Sequence, residues 1–196
     1  MRICLLNFKG GVGRTTLSLN LAGFYASQDP LKRVLVADCD PQGSALAWAS
    51  LADETPFTVG RSRSRGFDIE ILDMPPRLPE NGILPSVDLF VVPTLLDGVA
   101  YVVYLRTIQL LNSQGLPFIT VANKVNFRRA EHRDRLSCEA LKGATVVREQ
   151  AALAGYYAQG LTVHTGSGRH IEAARADIEG VASAIETAIS ARGGRA

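Results

Sequence analysis

Short runs of Val, Ile and Leu recur along the chain at residues 2–8 (RICLLNF), 33–39 (RVLVADC), 67–74 (FDIEILDM), 87–94 (VDLFVVPT) and 117–123 (PFITVAN). Most residues within each run are apolar, which suits strands covered on both faces. Between them lie segments of helical spacing at 15–26, 99–112 and 129–141. A last stretch places Ile171, Ala174, Ile178, Val181, Ile185 and Ile189 three or four residues apart, with Glu and Arg opposite, and reads as a helix docked on the sheet. Strands alternating with helices predict an α/β fold, a doubly wound and mostly parallel sheet flanked by helices. The polar, glycine-bounded stretch GRSRSRG at 60–66 reads as a loop between two strands. No repeat or composition break divides the chain, so residues 1–192 are expected to form one domain and 193–196 a disordered tail.

The end of the first strand run opens into K-G-G-V-G-R-T-T, residues 9–16, followed at once by helical spacing. Gly10, Gly11 and Gly13 allow a tight turn whose N–H groups point inward, together with that of Val12. The helix starting near Arg14 adds a dipole that favours an anion. Thr15, with Thr16 beside it, is placed to offer a hydroxyl to a magnesium ion. The ordinary phosphate-loop pattern G-x-x-x-x-G-K-[ST] is missed twice, with Phe8 at the first glycine position and Arg14 at the lysine. A glycine-rich turn used only for packing is the alternative. Two further segments end strand runs in acids. In VLVADCDPQGSALAW (34–48), Asp38 and Asp40 sit two apart, so a continuing strand would point both to one side, as a metal-and-water site requires. The other, EILDMPP (70–76), ends in Asp73 and two prolines. Each could also be a strand ending in a polar or proline-stiffened turn.

Taken in order, these three motifs resemble those of the ParA/MinD family of partition and positioning ATPases, whose deviant phosphate loop reads K-G-G-x-G-K-[ST]-[ST]. The resemblance runs from residue 2 to about 190, and the D-P-Q-x-S-x-x-x-W arrangement through Ser44 and Trp48 looks like the small plasmid or cargo partition members. It implies a set of roles for Mg–ATP. Lys9 would reach the phosphates of the partner subunit across an ATP-sandwich homodimer. Residues 10–16 would hold the phosphates, Thr15, Asp38 and Asp73 would serve the magnesium, and Asp40 would orient the attacking water. Asn123, in TVANKVN (120–126), would meet the adenine edge, with Lys124 beside it. ATP and magnesium are the implied cofactors. Lys9, Arg14 and Asp40 are the implied catalytic residues.

Arginine at position 14 keeps the charge of lysine but is a larger planar fork, not interchangeable with it at a tight site. Phosphoryl transfer depends on positioned charge, so the expectation is retained ATP binding with slow hydrolysis. A nucleotide-gated scaffold without useful catalysis is the alternative.

Composition narrows the partners only modestly. With 21 basic and 19 acidic residues the net charge of +2 permits a nucleic-acid partner without requiring one. The resemblance implies nonspecific DNA binding, with Arg128, Arg129, Arg133, Arg135, Arg169 and Arg175 as candidates and Arg61, Arg63 and Arg65 as a second basic loop. It also implies a ParB-like centromere- or cargo-binding adaptor. Cys4, Cys39 and Cys138 lack metal or disulfide spacing, and His132, His164 and His170 lack metal spacing. The longest apolar stretch is cut by Pro93 and Asp97, so no membrane role is expected, and a cytoplasmic, nucleoid-associated bacterial location is.

Overall fold

The computed structural model describes residues 1–62, 66–78, 82–168 and 171–193. Seven strands form one sheet: β1 (Arg2–Leu5), β2 (Val34–Asp38), β3 (Thr58–Gly60), β4 (Ile69–Asp73), β5 (Leu89–Thr94), β6 (Phe118–Val125) and β7 (Thr145–Arg148). Their order is β3-β2-β4-β1-β5-β6-β7, and every pairing is parallel. The described residues also form six α-helices: α1 (Arg14–Gln28), α2 (Ser44–Ala49), α3 (Gly98–Ser113), α4 (Ala130–Leu136), α5 (Ala151–Tyr157) and α6 (Glu172–Gly193).

The unbroken apolar runs follow from this arrangement. Ile3 and Leu5 of β1 point to one face, with Val36, Ile71, Val91 and Val121, against Leu17 and Leu21 of α1 and Ile178, Val181 and Ile185 of α6. Cys4, Ala37, Leu72, Phe90, Val92 and Ala122 point to the other, against Tyr104 and Leu111 of α3. Pro93 is tolerated inside β5 because the β1–β5 pairing ends at Leu5 and Val91, so its missing N–H breaks no ladder bond with β1. The buried Asn7 side chain donates instead to the Pro93 carbonyl, at 2.8 Å.

Several elements differ from the expectation. Strand β2 stops at Asp38, so Asp40 lies beyond it and the two acids do not share a strand face. The helix expected over 129–141 ends at Leu136, where the Ser137 hydroxyl takes the Asp134 carbonyl and the chain tightens into a 3₁₀ turn at Glu139–Leu141. Strands β3 and β7 and helices α2 and α5 are too short to leave a periodic signal. The final helix runs through Gly193, while 194–196 lie outside the described residues, as do Arg63 and Arg65 of the basic loop. Among the described residues, no helix is long and apolar enough to cross a membrane.

Two glycines after helices separate backbone strain from crowding. Gly115 (φ +63°) and Gly160 (φ +68°) both follow a helix in the left-handed region, where the next N–H bonds back to the carbonyl five residues earlier. A Cβ at Gly115 would meet nothing, whereas one at Gly160 would lie 2.5 Å from backbone atoms of Leu51 and Ala52. Gly115→Ala is expected to cost about 1 kcal/mol, from strain alone. Gly160→Ala should cost about 3 kcal/mol, from strain plus displacement of backbone. Denaturant midpoints of the two variants check the difference.

Candidate functional site

All strands run the same way, so β1, β2, β4 and β6 deliver their carboxyl ends to one rim. This is where open parallel sheets bind ligands. The glycine-rich loop leaves β1 there and enters α1 through Gly13, whose φ of +91° suits glycine. A Cβ on Gly13 would lie 2.3 Å from Nδ2 of Asn123, so the close approach of the loop to β6 also requires glycine. The Asn123 Nδ2 donates to the Val12 carbonyl at 2.8 Å, tying β6 to the loop. Behind the loop, Asn7 Oδ1 accepts from the Lys9 N–H at 2.9 Å. The first turn of α1 carries no acidic residue, leaving its dipole available to an anion.

Arg14 is nearly buried and turns beneath the loop. Its Nε donates to the Met74 carbonyl (2.8 Å), and its Nη1 to the carbonyls of Asn7 (2.6 Å) and Lys9 (2.7 Å). Burial lowers its pKa, opposed by the carboxylates of Asp73 and Asp40. The guanidinium therefore fastens the loop to the chain following β4. Lys9, by contrast, is half-buried and rests its ammonium on the Gly10 carbonyl at 3.2 Å.

The acids take three different positions. Asp73, at the end of β4, accepts a 2.7 Å hydrogen bond from the Thr15 hydroxyl through Oδ2, while its buried Oδ1 has no partner among the described residues. Burial raises its pKa from 3.8 to about 6, the Asp38 carboxylate adds to this, and the Thr15 hydroxyl, Arg14 and the nearby Ser18 hydroxyl pull the other way. A buried carboxylate with one bare oxygen beside a threonine hydroxyl is a fitting donor set for a hard divalent cation such as magnesium. Asp38 is buried with both oxygens engaged: Oδ2 takes the N–H groups of Ala45 and Leu46 at the start of α2, and Oδ1 that of Asp40. Asp40 is partly exposed, accepts from the Gln42 N–H at 3.0 Å and borders the cavity.

That cavity, of about 370 Å³, is a cup walled by Gly10, Gly11, Gly13, Arg14, Thr15 and Thr16, with Asp40, Lys124 and Tyr157 among its other neighbours. An adjoining, mostly apolar slot of about 380 Å³ is lined by Leu17, Leu153 and Ala154, with Asn123, Lys124 and the 148–150 segment. The sequence reading missed the walls contributed from β7 and α5. Tyr157 donates its hydroxyl to the Ser44 carbonyl at 2.9 Å, bracing α5 against α2. Asp177 of α6 holds the 148–150 segment by accepting from the Arg148 side chain (2.7 Å) and Gln150 (2.6 Å). These contacts span more than twenty residues of sequence and carry no local motif.

The basic candidates separate on inspection. Arg128 and Arg129 are exposed, and Arg133 is exposed while donating to the Phe127 carbonyl. Arg135 stacks on Tyr101 at 4.4 Å and faces Glu131, and Arg175 is bound to the carbonyls of Val163 and Gly166 and to Glu172. These two are built into the fold. Arg169 and His170 lie outside the described residues. His132 is buried and accepts from the Asn126 N–H, and burial pushes His164 down to about 4.

Asp73 gives a prediction with a defined sign. Its folded pKa of about 6 exceeds 3.8, so the folded state holds the proton more tightly than the unfolded chain. The penalty is absent below about pH 4, grows to about pH 6 and is complete above it. Asp73→Asn should therefore stabilise the ligand-free chain at neutral pH by about 1–3 kcal/mol and flatten this limb of the stability–pH curve. The same variant should lose any stabilisation by magnesium with ATP. Denaturation midpoints across pH, with and without Mg–ATP, read both effects.

Comparison with known proteins agrees with this geometry. The chain is 30% identical over 210 residues to the "Maintenance of carboxysome distribution protein A" of Gloeobacter kilaueensis, an alignment spanning 94% of this chain and 93% of that protein. It is 32% identical over 118 residues to the chromosome-partitioning ATPase Soj of Thermus thermophilus, covering 39% of this chain and 47% of that one. Among solved structures, the ATP complex of a Cyanothece McdA variant superposes with a TM-score of 0.75 at 13% identity, covering 94% and 96% of the two chains. A plasmid partition protein of Borrelia burgdorferi bound to AMPPNP gives 0.69 at 15% identity, covering 93% and 98%. Residues 3–163 match the family described as the CobQ/CobB/MinD/ParA nucleotide binding domain, and the chain belongs to that family.

Proposed function

We propose that this protein is a ParA-type ATPase that binds Mg–ATP, closes as an ATP-sandwich homodimer, binds nonspecific DNA and hydrolyses ATP slowly to position a cargo through a ParB-like adaptor. The observation that carries this reading is the 2.7 Å bond from Thr15 to Asp73, with Asp73 Oδ1 left bare. It joins two motifs 58 residues apart at one point beside the glycine loop. The near full-length similarity to a carboxysome distribution protein supports a positioning role.

When bound, Mg–ATP supplies the charged triphosphate and the metal that polarises it. Residues 10–16 cradle the phosphates with backbone N–H groups and the Thr15 hydroxyl. Asp40 borders the cup and is partly exposed, suited to orienting a water, while Asp38 holds the start of α2 and so fixes where Asp40 stands. Asp38, in register with Asp73 on the neighbouring strand, would add negative charge for the metal. Asn123 borders the apolar slot suited to the base. Lys9 does not line its own subunit's cup, in keeping with a reach toward a partner's phosphates.

One observation favours a second reading, a nucleotide-gated scaffold with little hydrolysis. Three N–H groups of Arg14 are engaged by carbonyls, so this cation is less free than a lysine to follow charge as it develops on the phosphates. Asp40→Asn separates the two. For a slow timer it should lower turnover about a hundredfold or more, with ATP binding kept, and stall cargo positioning in cells. For a scaffold it should leave positioning unchanged.

The DNA reading has its own measurement. Binding to nonspecific duplex should require ATP over ADP and weaken at least tenfold between about 50 and about 200 mM salt. The exposed pair Arg128→Glu with Arg129→Glu should abolish it without altering ATP affinity. Equal indifference to DNA in all nucleotide states would remove DNA from the proposal.

A further inference from the structure

Two of the described residues lining the cup, Arg14 and Lys124, bring positive charge. Arg14 has three of its five N–H groups committed to the carbonyls of Asn7, Lys9 and Met74. The ammonium of Lys124 has no hydrogen-bond or ion-pair partner among the described residues, and only the backbone N–H of this residue is engaged, by Asn123 Oδ1. Lys124 also borders the apolar slot, so it stands where slot and cup meet.

The backbone at this point is unusual in two ways. Alone among the described non-glycine residues, Lys124 has a positive φ, of 54°. A side chain in this region costs about 1–2 kcal/mol, and such strain persists where surrounding structure imposes it, often at ligand sites. The β6–β7 register is irregular at the same place. Ala122 pairs with Val146 and Val125 with Arg148, so Asn123 and Lys124 together face the single residue Val147. This is a bulge, a device that bends the strand and re-aims a side chain. In a regular strand Asn123 and Lys124 would point to opposite faces of the sheet. Here Asn123 reaches the loop at Val12 while Lys124 borders both cavities.

We infer that Lys124 is a phosphate-binding residue. The bulge directs an unpartnered ammonium to the junction where the polyphosphate of a nucleoside triphosphate leaves its base, and thereby supplies, within the same subunit, charge that Arg14 has partly spent on the protein's own backbone. The inference rests on the nucleotide-binding reading above.

The test uses the full-length chain as wild type, Lys124→Gly and Lys124→Arg, with ATP binding followed by titration calorimetry and folding by thermal unfolding. Glycine removes the charge and also the left-handed strain, so Lys124→Gly should unfold no earlier than wild type yet bind ATP about tenfold to a hundredfold more weakly. Lys124→Arg should recover ATP affinity to within about threefold of wild type, because the charge is restored at the same strained position. ATP affinity in Lys124→Gly within about twofold of wild type would overturn the inference, as would an arginine variant no better than the glycine one. If wild type itself binds no ATP, the nucleotide reading fails and this inference with it. Normal wild-type binding beside an unaffected Lys124→Gly overturns the role of Lys124 alone.

Discussion

A guanidinium left 8% exposed must find acceptors, because an unpaired buried charge costs several kcal/mol. Arg14 finds them in three backbone carbonyls, two before the glycine turn and one just after β4. The rest of the rim depends on this stitch. It holds the loop against the chain that carries Asp73, and so sets the distance at which the Thr15 hydroxyl and the Asp73 carboxylate meet. From the other side Asn123 pulls the Val12 carbonyl toward β6, and only a glycine at position 13 leaves room for that amide. The loop is thus held between β4 and β6 by the protein's own hydrogen bonds.

Preorganisation of this kind concentrates the unfavourable terms on few groups. Asp73 is one: buried, with a bare oxygen and a pKa pushed up to about 6, it is less comfortable ionised than it would be in water. The backbone of Lys124, held at φ 54°, is another. The Thr15 and Ser18 hydroxyls and Arg14 relieve the first only in part. A cation beside Thr15 would neutralise the first, and a polyanion in the cavities that Lys124 borders would repay the second. Below them, both faces of the sheet are covered by apolar side chains on helices.

What could be read from the chain alone follows from how local each feature is. The doubly wound sheet was legible because both-face burial writes itself as continuous Val, Ile and Leu runs, and the three motifs were legible because each is contiguous and ends a strand. The pairing of Asp38 with Asp40 was misjudged in one respect. It assumed that the strand continued, whereas Asp38 turns to cap α2 and only Asp40 reaches the cavity. The slot wall from Arg148 to Ala154, the brace at Tyr157 and the anchor at Asp177 were invisible, being tertiary contacts of a four-residue edge strand and a seven-residue helix. The arginines were visible as charges only. Composition does not distinguish Arg128, open to solvent, from Arg175, whose fork is filled by carbonyls of the 163–166 turn.

The arginine in the phosphate loop then has a physical reading that the pattern mismatch did not provide. A lysine ammonium gathers its donors at one atom, whereas a guanidinium spreads them over three nitrogens in a plane. Reaching Asn7, Lys9 and Met74 together draws on two of those nitrogens at separate points, which favours the planar fork over a point charge. The gain is a loop fixed to the strand that carries Asp73. The loss is mobility of the cation at the start of α1. A site built this way is suited to holding a nucleotide in a set geometry and less suited to following charge through a transition state. In the proposed ATPase, that places the burden of rapid chemistry on residues outside the loop.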